Sequence, residues 1–472
     1  MRKLRLNLGI LCFLFVSVHW GEAQASLYVT VAGAQVKKAK LAVGQIRALG
    51  TPRASLAQEL ETQIKGDFEW MNVFDLVPSS QFETLDQSSS SAVNFEAWKH
   101  LQIAFYLQLA YRVAGADAVM EAHYYDIFGQ KKIFSKTYRY SALKPARLVH
   151  ALSEDMLQVM TGEHGLFLSR ILMSCETPLT GKPRLEYPRE IFIMDADGRN
   201  VKQLTFDRTL SLSPNWNPNG RAIVYTQFLM QGRKKIMGLR THDLETGQRV
   251  TLWAHDGVNS GAAYAPDGSR IAATLSFTGR PTLYFLDPTG RKQPESFSEH
   301  LRWKKLSGEG FQPNYIDLLL DVEPSWSPNM LDIAFSSART GHPMIYVAHL
   351  PSMTATQLTV VGLYNASPSW SPRYNRLAFA AQHNREGNFD LYLIDPDGNN
   401  LDRLTNGDRK SGVRGINNKN PSWGPTGRHL VFASDEGGSY AIYGMTSDGS
   451  QRRRISPPGK ICETPSWGPA EP

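Results

Sequence analysis

Few residues of this chain have both the type and the spacing that chemistry needs. Gly437-Gly-Ser439-Tyr-Ala441 has the loose outline of a nucleophile elbow. An elbow, however, needs a strand, a sharp turn and a helix in an α/β sheet, and this stretch reads as a hairpin. Asp195-Ala-Asp-Gly198 and Asp395-Pro-Asp-Gly398 look like pieces of a calcium loop. They lack the full series of oxygen ligands, and turn chemistry explains them. The 12 histidines are scattered, no His-Glu-x-x-His occurs, and none stands at metal spacing from an acid. His342, His383 and His429 fall at strand ends or turns, where an exposed histidine is the ordinary outcome. No catalytic residue, metal or cofactor is therefore expected. Cys175 and Cys462 remain. In an oxidising compartment they could pair, or they could persist as two buried thiols.

The elements that position these residues come from a repeat. The phrase Pro-x-Trp-x-Pro occurs at Pro214–Pro218, Pro324–Pro328, Pro368–Pro372, Pro421–Pro425 and Pro465–Pro469, with a worn copy at Ala262-Ala-Tyr264-Ala-Pro266. The aromatic positions are 48, 62, 44, 53 and 44 residues apart. A period near 40 to 50 residues with one aromatic phrase per unit predicts a β-propeller, each unit a four-stranded blade. In the cleanest unit Pro368 starts the innermost strand, Leu377–Ala381 is the second, Asp390–Ile394 the third and Leu401–Thr405 the outer. The aromatic of each phrase is expected to fill the wedge between blades. The first unit lacks an innermost strand: Ser169–Cys175, Glu190–Met194 and Val201–Thr205 read as its second, third and fourth. Pro465–Pro469 at the chain end supplies the missing one and closes six blades. In a regular hairpin Cys175 then falls opposite about Thr464, with Cys462 two residues further along on the same face, near the upper limit for a disulfide.

The chain opens with Arg2, Lys3 and Arg5, runs apolar from Leu6 to about Val18, and reaches Ala23-Gln24-Ala25. That describes a secretory signal peptide over residues 1–25, too short a run for a membrane anchor. The net charge of +7 is mild for this length and argues against nucleic-acid binding. Arg452-Arg453-Arg454 sits where an edge strand belongs, and basic edges guard against edge pairing. Residues 26–165 have a different texture. Leu27–Val31 and Lys40–Ile46 read as strands, and Ala54–Lys65 as a helix. Asn94 caps a short helix. Phe105–Val113, Ala118–Asp126 and Lys132–Arg139 form a meander, followed by a helix over Pro145–Met160. This is a small α+β domain ahead of the propeller at 166–472.

The order of parts resembles the TolB family of the Tol-Pal system of Gram-negative envelopes. The resemblance rests on Pro78-Ser-Ser-Gln-Phe82, Phe95-Glu-Ala-Trp98, Tyr125-Asp-Ile127, the joint Thr161-Gly-Glu-His-Gly-Leu-Phe-Leu-Ser-Arg-Ile171 and the Pro-Ser-Trp-Ser-Pro phrases. It covers about 27 to 469. The chain departs from the family at Leu301–Leu320, which lengthens the third-to-fourth blade connection, and at Ser26–Lys40, which carries more lysine than acid. The resemblance implies a periplasmic, non-enzymatic scaffold. Its ring would hold Pal, a lipoprotein that grips peptidoglycan, and its mature N-terminus would meet the inner-membrane protein TolA, linking the envelope layers during division. The N-terminal partner segment would be Ser26, Leu27, Tyr28, Val29, Thr30 and Val31. Because the innermost strands all start at one end of the channel, the residues just before them should form the partner mouth: Ser213, Asn259, Glu323, Asn365, Asn420 and Glu463. The rival reading is a periplasmic propeller enzyme or glycan-binding protein, which acidic and histidine side chains clustered in the channel would favour.

Overall fold

The computed structural model describes residues 38–470, apart from 89–91, 182, 185–186, 305–319, 384–386 and 408–414. The signal peptide and Ser26–Val31 lie outside the described residues. The first domain is a mixed sheet with two long helices. Strands Ala39–Val43, Phe74–Leu76, Phe105–Ala114, Asp117–Asp126 and Lys131–Ser141 form it, with the first three parallel and the last three an antiparallel meander. Helix α1 spans Ala54–Met71 and ends at Asn72 in the left-handed conformation. It runs past the expected Lys65 because Ile64, Phe68 and Met71 continue the buried stripe across Gly66; burial outweighs the roughly 1 kcal/mol penalty of a helical glycine. The short helix Phe95–His100 is capped by Asn94, whose side chain accepts from the Ala97 N–H at 3.2 Å. The second long helix, α2, spans Pro145–Thr161 and ends at Gly162 (φ 73°).

Three stretches that carried the family resemblance converge in this domain. Phe82, Trp98, Tyr125 and Ile127 share one small buried cluster with Tyr106, and Trp98 stacks on Tyr106 at 4.2 Å between ring centres. Those motifs are core packing, not a surface.

Six blades follow. Blade 1 takes Cys462–Ala470 as its innermost strand, then Ser169–Glu176, Arg189–Asp195 and Lys202–Gln203. The innermost strands of blades 2 to 6 are Ser211–Trp216, Asn259–Tyr264, Asp321–Trp326, Tyr364–Trp370 and Asn418–Trp423. Blade 4 has a fifth strand: Arg302–Lys304, from the lengthened connection, adds in parallel to the outer strand Thr354–Gln357.

The repeated phrase has a mechanical explanation. Each of its aromatics, Trp216, Tyr264, Trp326, Trp370, Trp423 and Trp467, is buried between blades. The residue between Pro and the aromatic is Asn or Ser in most copies, and in three of them its side chain accepts from the backbone N–H of the next blade's aromatic. Ser325 does so for Trp370 and Ser422 for Trp467, both at 2.9 Å, and Asn215 for Tyr264 at 3.2 Å. At the other three junctions the indoles of Trp216, Trp326 and Trp423 donate to the carbonyls of Ser466, Ala263 and Ser369 at that same place in the preceding blade. A hydrophobic wedge and one hydrogen bond to the preceding blade are thus written in three residues.

One more feature repeats in all six innermost strands and does not show in the sequence. Each has a one-residue bulge just before the phrase, with a residue of positive φ: Ser213, Gly261, Glu323, Ser367, Asn420 and Thr464. The bulge corrects the expected cysteine register. Trp467 pairs with Ile171, but after the extra residue Cys462 lies directly opposite Cys175. Their Cα atoms are 4.1 Å apart and the sulfurs are bonded. A diagonal offset was expected because a regular ladder was assumed; the bulge removes it.

Candidate functional site

The propeller has two faces. At one, the innermost strands end, and the first domain sits there. Glu163 in the joint ion-pairs with Arg428 of blade 6 and accepts from the Tyr374 hydroxyl of blade 5 at 2.8 Å. Gly165 (φ 98°) has no room for a side chain: a Cβ would meet the Ala470 Cβ at 2.8 Å and the Pro425 Cβ at 3.3 Å. The guanidinium of Arg453 lies 3.9 Å over the Trp70 ring. The arginine run therefore meets the first domain, instead of only guarding an edge. Two histidines complete this contact. His150 on α2 stands between Asp67 of α1 (2.8 Å) and Asp197 of blade 1 (3.0 Å). Burial pulls its pKa down, but hydrogen bonds and charge from Asp197 and Asp67 outweigh that and hold it at about 9. His429, expected to be exposed, is fully buried against the Trp70 carbonyl at 2.7 Å, and burial pushes its pKa down to about 3. It is the first residue of a strand, as expected, but that strand end is covered by α1.

The opposite face, where the innermost strands begin, is the mouth, and no other part of the described chain covers it. Its described loops are tied at their bases. In five blades a Thr or Ser just after the outer strand accepts from the N–H near the start of the third strand. The pairs are Thr205 with Ile191, Ser298 with Leu283, Thr359 with Ile345, Thr405 with Leu391 and Ser456 with Ile442, at 2.9–3.0 Å. On these loops large apolar side chains face solvent: Phe206, Met230 and Val360 are each 67 % exposed, and Phe277, Val361 and Tyr364 are 41–51 % exposed. Single exposed apolar residues, such as Leu331 and Leu401 toward the other face, are unremarkable, but a set gathered on one face marks a docking surface.

The six residues expected to line this mouth do not form one ring. Ser213, Glu323 and Asn420 are the bulge residues, inside the strands and not before them. Asn259 and Asn365 lie two positions earlier in register, equivalent to Cys462, and are buried. Asn259 donates to the carbonyls of Met237 and His255, and Asn365 to that of Val361; both pin the loops that lead into their strands. Glu463 ion-pairs with Arg189 of blade 1 at 2.9 Å. The bulge ring itself is Ser213, Gly261, Glu323, Ser367, Asn420 and Thr464. Half of it is linked from blade to blade: Glu323 accepts from the N–H and hydroxyl of Ser367 at 2.6 and 3.1 Å, and Ser367 accepts from Asn420 at 3.1 Å. Burial raises the Glu323 carboxyl above the usual range against these bonds. The six stand three to five residues before their aromatics, so they fall at different places in one register, and no sequence pattern marks which place carries the bulge. The exposed rim was missed too, although Phe206, Phe277 and Val360-Val361 stand out as bulky apolar residues in loop segments.

Among the described residues no three His, Cys, Asp or Glu side chains are grouped to hold a metal ion, and no helix is long and apolar enough to cross a membrane. The segment Gly437–Ala441 lies in the connection between the second and third strands of blade 6, followed by a strand and not a helix.

A family model described as the TolB β-propeller domain matches residues 157–300 and 319–471, more than half of the chain. The chain belongs to the TolB family. Among curated relatives, a TolB homolog of Chlorobium chlorochromatii is 30% identical over 286 residues, 60% of this chain and 58% of that protein. A Tol-Pal system protein TolB of Desulfosudis oleivorans is 28% identical over 268 residues, 56% of this chain and 58% of that protein. The chain thus matches a little over half the length of these TolB relatives. The crystal structure of TolB from Acinetobacter baumannii shares the fold across 92% of this chain and 97% of its own, with a TM-score of 0.70 at 21% identity.

Proposed function

We propose that this chain is a periplasmic protein-binding scaffold of the Tol-Pal system. The propeller mouth holds a Pal-like, peptidoglycan-gripping lipoprotein. The segment Ser26–Val31 engages a TolA-like inner-membrane protein, so that the two contacts join the envelope layers during division. It acts as a binder, not an enzyme. The observation that carries the reading is the asymmetry of the ring in a TolB-family chain: an uncovered face with a bulky apolar rim on tied loops, opposite a face already occupied by the first domain. Preorganised loops lower the ordering cost of docking a protein, and an apolar rim around polar residues suits a protein partner better than a sugar.

The test is the affinity of the purified soluble domain of the organism's Pal-like lipoprotein for the mature chain. Phe206→Asp, Phe277→Asp and Val360→Asp should each weaken it about tenfold or more, as centrally placed aromatic and apolar anchors do, with the melting temperature unchanged. Glu323 is not a clean probe, since its replacement breaks the bonds to Ser367. Removing residues 26–33 should abolish capture of the TolA-like protein and spare the lipoprotein. Wild-type affinity in all three rim variants, or loss of both partners on the N-terminal truncation, contradicts the assignment.

A further inference from the structure

One buried register position recurs at the mouth end of all six innermost strands: Ser211, Asn259, Asp321, Asn365, Asn418 and Cys462, each at most 1 % exposed. In five blades a hydrogen bond or an ion pair holds it. Ser211 accepts from the Gln227 amide at 3.3 Å. Asn259 and Asn365 donate to the carbonyls of His255 and Val361, four residues back in their entry loops. Asp321 accepts from Ser337 at 2.7 Å and pairs with Arg339. Asn418 accepts from Arg452 at 2.9 Å. In blade 1 the tie is covalent, from Cys462 to Cys175. Blade 1 is also the blade whose first two strands no turn connects: the bonded residues lie 287 apart in the chain.

We propose that the Cys175–Cys462 bond is a redox latch: its reduction frees the mouth end of the closing strand, with the blade 1 loop at 457–461, while the sealed end stays fastened. The step is a thiol–disulfide exchange with a dithiol. The Cys175–Cys462 bond breaks, two cysteine thiols form, and the dithiol closes into its own disulfide. The two ends of the strand are held unequally. At the sealed end the Trp467 indole donates to the Ser169 hydroxyl at 2.8 Å, and Ala470 packs on Gly165. At the mouth end the sulfurs are backed by two backbone hydrogen bonds, from Glu176 to the Ile461 carbonyl and from Cys462 to the Tyr440 carbonyl. Lys460 over the Phe192 ring and the Arg189–Glu463 pair, whose carboxylate is 32 % exposed, complete that end. Both cysteines are buried, so a dithiol reaches them when the covering loop swings out; its Pro458 and Gly459 are already exposed. The loop borders the mouth, so the latch also sets the blade 1 share of the partner face, a step that rests on the partner-binding reading.

The test compares the mature chain before and after excess dithiothreitol, with cleavage read as free thiols. Hydrogen exchange should show protection lost over 457–464 and kept over 467–470. Cys175→Ala/Cys462→Asn copies the Ala381–Asn365 pair of blade 5 and should keep the loop protected with or without dithiothreitol. Cys175→Ala/Cys462→Ala should show the reduced pattern throughout; should it fail to fold, the reduced wild-type chain makes the same test. Affinity for the soluble domain of the Pal-like lipoprotein should fall at least about threefold on reduction, since chains with the loop displaced bind less well, and should hold in the asparagine variant. A bond that survives dithiothreitol in the folded chain overturns the latch. So does a reduced chain that exchanges as the oxidised one does, or that loses protection along the whole strand. A freed loop with unchanged affinity overturns its link to the mouth. Absence of binding by the wild-type chain overturns instead the partner reading, and the exchange result alone then judges the latch.

Discussion

On one face of the ring the turns of blades 1, 5 and 6 are covered by Glu163, Gly165, Trp70 and His150. On the other, the loops that enter the same strands hold Phe206, Met230 and Val360 out in solvent. Both faces come from one blade repeat with the same wedges and the same bulge. The difference lies in what the chain adds outside the repeat. Its first domain covers blades 1, 5 and 6 on one face with buried charge and aromatic contact, and among the described residues it leaves the other face to solvent. A propeller used as a scaffold needs both: one face for internal coupling and one left unfinished for a partner.

The largest expected effect comes from breaking what the two faces share. Deleting residues 460–472 removes the innermost strand of blade 1 together with the Cys175–Cys462 bond. Without it the ring has an open sheet edge and the joint loses its contact with Ala470. Calorimetry of this truncation should show no cooperative transition at the wild-type temperature, and partner binding should be lost as well. A truncated chain with an unchanged midpoint would show that the closing strand is dispensable.

A smaller change should separate the faces. Arg428 and Glu163 are nearly buried, at 13 % and 14 % side-chain exposure, and removing one member of such a pair strands the other. Arg428→Ala should cost about 3 kcal/mol in denaturant unfolding while leaving lipoprotein affinity at the mouth within about twofold. An equal loss at the mouth would mean that the faces are energetically one unit.

The smallest effect is a pH dependence at the sealed face. His150 is held at about 9 in the folded chain, above its ordinary value near 6.5. Its contribution is therefore complete below about pH 6.5 and lost as pH rises through about 9. His429 is held at about 3; its contribution is complete above about pH 6.5 and lost as pH falls toward 3. The contact between the domains should be strongest near pH 6.5 and weaken on both sides, read as the melting temperature against pH. His150→Gln should flatten the alkaline limb alone. An unchanged alkaline limb would remove His150 from the contact.

Most of the architecture could be read from the residues. The Pro-x-Trp-x-Pro phrase marked each innermost strand because its three roles, wedge, acceptor and donor, all need particular side chains. Even the closing strand was legible, since the first unit lacked one and the chain end had one to spare. The candidate site was harder to read. No required side chain marks where each innermost strand begins or where its bulge falls, so residues at three different register positions were taken as one ring, and buried Asn259 and Asn365 were placed at the mouth. His429 was read as exposed because its burial depends on Trp70, 359 residues away in sequence. Long-range covering of that kind leaves no local pattern.

The central claim is that the mouth, and not the sealed face, receives the lipoprotein. Hydrogen exchange of the mature chain with and without the soluble domain of the Pal-like lipoprotein tests it on every segment at once. The account predicts new protection in the peptides that contain Phe206, Val258, Phe277 and Val360–Tyr364, with none in the turns at 195–200, 243–248 and 395–400. Protection confined to those turns, with the mouth peptides exchanging as in the free chain, would contradict it.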